Sequence, residues 1–141
     1  MVKILLPVDG SAASNKAVAD FIQIIDWYKE VPEIHLLNVQ LSLHGDISMF
    51  IDKDTIQQHH HEGGVKKLQQ ARELLHQAGL TCQEHIIVGD PAETIALFAV
   101  EQSFDQIVIG PRGLGAVKSI LLESVASKLI KLSSIPVLVL K

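Results

Sequence analysis

The sequence is most informative at first for what it has little of. It holds one cysteine, Cys82, so no internal disulfide can form, and this suits a reducing compartment. On its own, Cys82 reads as a small side chain on a strand. Aromatic residues make up only 4%, so the interior must be built from Val, Ile and Leu. Lys and Arg number 12 against 16 Asp and Glu, a formal net charge of −4, and this leaves no basic field for a nucleic-acid backbone. No apolar run approaches the roughly 20 residues that cross a bilayer. The opening MVKILLPVDG enters a strand-like run with no charged leader, so export is not expected and a cytoplasmic location is. Sites for chemistry are scarce too. There is no Walker A lysine pattern, no nucleophile elbow, and no Gly-rich fingerprint after the first strand. The consecutive His59, His60 and His61 would point about 100° apart on a helix and cannot share one ion, so they read as a solvated helix start. His35 and His85 fall on strand segments without ligand spacing and read as structural. No catalytic or metal-ligating set is expected.

What is present is an alternation of two periods over 141 residues, a length that suits one domain spanning 1–141. Val2 to Val8 is a continuous apolar run, as expected of a strand covered on both faces. Helical spacing follows from Ser14, a plausible cap, through Ala17, Val18, Phe21, Ile22, Ile25 and Tyr28. Ile34 to Val39 is a second buried strand. Gln40 to Asp54 has no sustained period and reads as a long connection of the kind that forms lids. A helix over Thr55 to Ala78 presents Val65, Leu68, Ala71, Leu75 and Ala78, with Gly63 and Gly64 as a weak point that frays its first turns. Gly79 stops it, and Thr81 to Val88 is the third strand. Asp90, Pro91 and Glu93 then start a helix running to about Gln102. Gln106 to Gly110 is the fourth strand, a last helix runs through Ser124 to Leu132, and SSIPVLVLK supplies the fifth strand. Strand and helix alternating throughout imply right-handed crossovers: a single doubly wound α/β domain with a five-stranded parallel sheet and helices on both faces.

Four segments in this order carry a resemblance: ILLPVDGS at the start, GDP before the third helix, VIGPRG after the fourth strand, and IPVLVL at the end. Together they resemble the universal stress protein family over essentially the whole chain. The resemblance implies a homodimer formed through the closing strand and a nucleotide site where the strand order reverses, between the first and fourth strands. It implies cofactor-binding positions at Pro7, Asp9, Val39, Gly110, Arg112, Gly113, Glu123, Ser124 and Val125, with ATP, accompanied by magnesium, as the ligand. Asp9 would lie at the adenosine end and Val39 would offer main-chain contact to the adenine. Each has a plainer reading as well: Asp9 as a turn former, Val39 as core, Arg112 as a solvated charge.

The nucleotide-binding branch of the family carries Gly, two residues, Gly, nine residues, then Gly followed by Ser or Thr. Gly110 and Gly113 satisfy the first half and Ser124 closes the pattern, but Glu123 stands where a glycine is expected. Glycines let the main chain approach phosphate, and amides at a helix start donate to it. A carboxylate there repels polyphosphate by about 4 kcal/mol at ~4 Å and an effective dielectric near 20, roughly a thousandfold in affinity. Arg112, Lys118 or a bridging cation would reduce that. The leading expectation is a small stress-response regulator or binding module whose nucleotide site is weakened by Glu123. Two alternatives stay open, a dimeric interaction module that binds no nucleotide and a weak ATP hydrolase. A dinucleotide-dependent oxidoreductase would need its glycines after the first strand rather than the fourth.

Overall fold

The computed structural model describes residues 1–42, 52–111 and 124–141. Its strands are β1 (Lys3–Pro7), β2 (Glu33–Gln40), β3 (Cys82–Val88), β4 (Gln106–Ile109) and β5 (Val137–Val139). Its helices are α1 (Ala12–Gln23), α2 (Lys53–Gln77), α3 (Pro91–Glu101) and α4 (Val125–Leu132), with a 3-10 turn at Ile25–Trp27. All strand pairs are parallel and the spatial order is β3-β2-β1-β4-β5. This is the doubly wound sheet expected from the alternation of periods. The order reverses at β1, whose neighbours are β2 and β4.

Both faces of the sheet are covered, which is why the strand sequences are nearly continuous in apolar residues. Alternate residues supply two cores. Ile4, Leu6, Ile34 and Leu36 meet Val18 and Phe21 of α1 and Leu68, Ala71 and Leu75 of α2. Leu5, Leu37, Ile107 and Ile109 meet Ile95 and Ala99 of α3, Ala126 and Leu129 of α4, and Phe104.

Several local expectations are corrected. The cap of α1 is Ser11, whose hydroxyl accepts from the Ser14 amide at 3.1 Å, so Ser14 lies inside the first turn. The connection after β2 is shorter than Gln40 to Asp54: Gln40 still belongs to the strand, and α2 begins at Lys53 with Asp52 as its cap. The lid reading falls mainly on 43–51, outside the described residues. Gly63 and Gly64 do not interrupt α2. A Cβ at Gly64 would lie 2.6 Å from the Ile86 side chain, so the missing side chain is what lets α2 settle on β3. The buried stripe of α2 is His60, Gly64, Leu68, Ala71 and Leu75, whereas Val65 is exposed. His60 is therefore a buried residue and not part of a solvated start, and its Nδ1 has no hydrogen-bond partner among the described residues. Asp90 caps α3 with Pro91 in its first turn, and Gly79 takes φ +75° just past α2, both as expected.

Candidate functional site

The carboxyl ends of β2, β1 and β4 lie side by side, and each leaves the sheet in a different way. The ladder between β1 and β2 ends at Pro7 and Leu37, and one further bond joins the Val8 amide to the Leu37 carbonyl at 2.8 Å. Beyond it β1 turns away while β2 continues through Asn38, Val39 and Gln40. In a parallel strand successive residues direct their peptide groups to opposite neighbours. Leu37 faces β1, and the Gln40 carbonyl accepts from Gly89 on the β3 side at 2.9 Å. Val39, in phase with Leu37, therefore turns its N–H and C=O toward the β1 side, two residues past the last ladder pair. Its side chain packs against the core shared with α3 and α4.

The loop after β1 is held from three directions. Asn38, 2% exposed, donates from Nδ2 to the Val8 carbonyl at 2.9 Å and accepts from Gln40 Nε2 at 2.6 Å. Asp9 is half-buried, and its Oδ1 accepts from the Ser11 amide at 2.8 Å, the turn-forming role foreseen for it. Gly10 has φ +81°, and a Cβ there would meet Lys67 Cδ at 2.8 Å and Lys67 Cα at 3.2 Å, so only glycine lets the loop lie against α2. Asn15, also buried, donates to Gln70 Oε1 at 3.0 Å and to the Gly10 carbonyl at 3.4 Å, joining α1, α2 and the loop.

On the other side Gly110 follows β4 and is buried against α1, where a Cβ would lie 3.3 Å from that of Ala17 and 3.5 Å from the Ala13 carbonyl. Pro7, Asp9, Val39 and Gly110 are thus brought to the ends of three adjacent strands. Ser124 and Val125 open α4. The Ser124 hydroxyl oxygen accepts from the Ser127 amide at 3.1 Å, and the hydroxyl donates to Ser127 Oγ at 2.9 Å, so in this structure it serves as a helix cap. Arg112, Gly113, Lys118 and Glu123 lie outside the described residues. No cluster of His, Cys, Asp or Glu suited to a metal ion occurs among the described residues, and none of their helices is long and apolar enough to cross a membrane.

Asn38 and Asn15 were not singled out by sequence reasoning, although Asn38 is, beside His35, a polar residue inside the apolar run IHLLNV. A buried amide in such a run must find partners, and that is a usable signal.

A doubly wound α/β domain with three strand ends converging at its switch point defines a ligand-binding class of fold. The comparisons narrow it further. The sequence pattern of the universal stress protein family matches residues 1–141, and the chain belongs to that family. It is 30% identical to the universal stress protein YxiE of Bacillus subtilis, over 99% of this chain and 98% of that one. It is 31% identical to the universal stress protein MJ0531 of Methanocaldococcus jannaschii, over 99% and 81% respectively. The solved structure of MJ0577 superposes with a TM-score of 0.79 at 29% identity, covering 99% of this chain and 95% of that one. A universal stress protein solved in complex with cAMP has the same fold, with a TM-score of 0.75 at 23% identity and coverage of 99% and 97%. So does an Arabidopsis thaliana family member solved with AMP bound, with a TM-score of 0.71 at 21% identity and coverage of 100% and 92%.

Proposed function

We propose that this protein is a cytoplasmic stress-response regulator that binds an adenine nucleotide, ATP in the first instance, at the carboxyl ends of β1, β2 and β4, and works as a homodimer rather than as a committed enzyme. The observation that carries the reading is the Val39 peptide, turned toward the β1 side past the end of the β1–β2 ladder. An N–H donor and a C=O acceptor on one extended residue match the ring-nitrogen acceptor and exocyclic amine donor of adenine. Asp9, just past the end of β1, would accept from ribose hydroxyls. The Gly110 backbone and the start of α4 would face the phosphates, with Ser124 exchanging its bond to Ser127 for one to the ligand. The cAMP and AMP bound by fold relatives support the ligand class. The edge position of β5, with Val137, Leu138 and Val139 half-buried, supports pairing of two copies along it.

Glu123 favours a second reading, a dimeric interaction module whose phosphate site is closed. Calorimetric titration of ATP, with and without magnesium, into the wild type and Glu123→Gly separates the two. The first reading predicts saturable binding that Glu123→Gly strengthens, by up to roughly a thousandfold, with magnesium helping the wild type more than the variant. No heat at millimolar ATP in either protein, with melting temperatures unmoved, would overturn it.

A further inference from the structure

The other end of β2 carries a polar chain that the nucleotide site does not use. His35 Nε2 lies 2.7 Å from Glu33 Oε2, and His35 Nδ1 lies 2.8 Å from His85 Nε2, linking β2 to β3. The imidazoles are nearly parallel, 4° between planes with centroids 5.1 Å apart. Phe104 meets His35 edge-on at 4.9 Å, and Phe98 of α3 lies 5.0 Å from His85. His35 is 4% exposed, while Glu33 and His85 are half-buried.

Counting protons fixes what this chain can hold. An ionised Glu33 only accepts, so His35 Nε2 must carry hydrogen. With both rings neutral, His35 Nδ1 accepts from His85 Nε2–H and every contact is made. With one added proton, His35 becomes imidazolium and donates to Glu33 and His85 together, or His85 becomes imidazolium and still donates to His35. Both bonds survive. A second proton on the rings puts an N–H on each side of a 2.8 Å contact, and the link between the strands is lost.

The charged groups around the chain come from several elements. Lys3 of β1 lies over the Phe104 ring at 4.5 Å, and its ammonium donates to the Gln102 carbonyl. Asp105, next to Phe104, accepts from the Lys3 amide at 2.8 Å. The amino terminus pairs with Glu30 at 3.2 Å. Glu84 of β3 pairs with Arg72 of α2 at 2.6 Å. Phe98 is what α3 places against His85.

We propose that Glu33, His35 and His85 form a proton-counting lock on the edge strand β3, closed with zero or one added proton and opened by a second. Among the described residues β3 is the edge of the sheet and pairs with β2, so this bond adds to the backbone ladder in tying its amino-terminal half to β2, while the Arg72–Glu84 pair and Cys82 tie it to the α2 side. Burial, then the neighbouring His35 and Lys3, keep His85 below the ordinary imidazole value, so the fold prefers it neutral. The stability this gives is complete above about pH 6.5, where unfolded histidine releases its proton, and drains away as pH falls from there toward the folded value. The His35 hydrogen bond holds Glu33 below the ordinary carboxylate range, so its contribution persists to more acid pH and is lost as pH falls through its own folded value.

The test is imidazole ¹⁵N resonances and amide exchange, corrected for intrinsic rates, recorded on the full chain from pH 8 to pH 4.5. The lock predicts that both rings respond together to the first proton. The second should coincide with roughly a tenfold or greater loss of protection in Cys82–Val88 relative to β1, the change that about one unit of linked titration produces. His85→Gln, whose amide can donate to His35 without titrating, should abolish that acid step. Glu33→Gln, a change at a partly exposed site, should move the first ring titration lower, because the carboxylate that favours the added proton is gone. Flat β3 protection in the wild type, rings titrating independently, or an unmoved first titration in Glu33→Gln would each overturn the proposal.

Discussion

The two ends of β2 solve opposite problems with polar residues. At the amino end Glu33 and His35 bond to each other and to His85, and an aromatic wall of Phe98 and Phe104 closes around them. At the carboxyl end Asn38 and Gln40 bond to the Val8 carbonyl and to each other, and the Val39 peptide faces the β1 side past the last ladder pair. One end satisfies itself and links strands; the other holds the loop after β1 in place. The difference teaches that buried polarity alone does not mark a ligand site. What sets the proposed site apart is backbone hydrogen-bonding capacity at Val39 that lies past the β1–β2 ladder.

If that contrast is right, damage at the lower end should change stability without changing ligand affinity. Phe104→Ala removes a ring that is 3% exposed and packs against His35, Phe98 and the Lys3 ammonium. It should cost about 3–5 kcal/mol in chemical denaturation, with the ATP dissociation constant of the folded fraction unchanged. A large affinity loss in protein that is still folded would break the separation between the two ends.

Damage at the upper end should do both, on a smaller scale of stability. Asn38→Ala leaves the Val8 carbonyl without its side-chain donor and should cost about 1–3 kcal/mol. Because Val8 precedes Asp9, the freed loop should also bind ATP more weakly. Unchanged affinity in Asn38→Ala would mean that Asp9 is positioned by its own turn and not by β2.

How much of this the sequence showed depends on how local each cause is. Strand and helix alternation, the Asp90–Pro91 helix start and the Gly79 stop are set within a few residues, and they were legible. The cap of α1 was missed because DGSAAS offers two serines, and the Asp9 turn decides that Ser11 takes the role. Gly64 was misread because propensity counts a glycine as a cost, whereas here the cost is offset by contact with Ile86, a residue 22 positions later in the chain. His35 and His85 lie 50 residues apart, and only the register that sets Leu37 against His85 brings their rings together. The candidate site was named in the sequence only through family resemblance, which implied Asp9, Val39 and Gly110; the peptide direction of Val39 follows from where β1 stops, and no property of Val39 itself reveals it.

The central claim is that ligand recognition belongs to the carboxyl ends of the strands and the polar chain at the amino ends takes no part in it. Amide chemical-shift mapping during titration with ATP and magnesium tests it most directly. The account predicts saturable shifts at Val8, Asp9, Val39 and Gly110, with Glu33, His35 and His85 unmoved. Absence of saturable shifts, or shifts centred on the Glu33–His35–His85 chain, would contradict it.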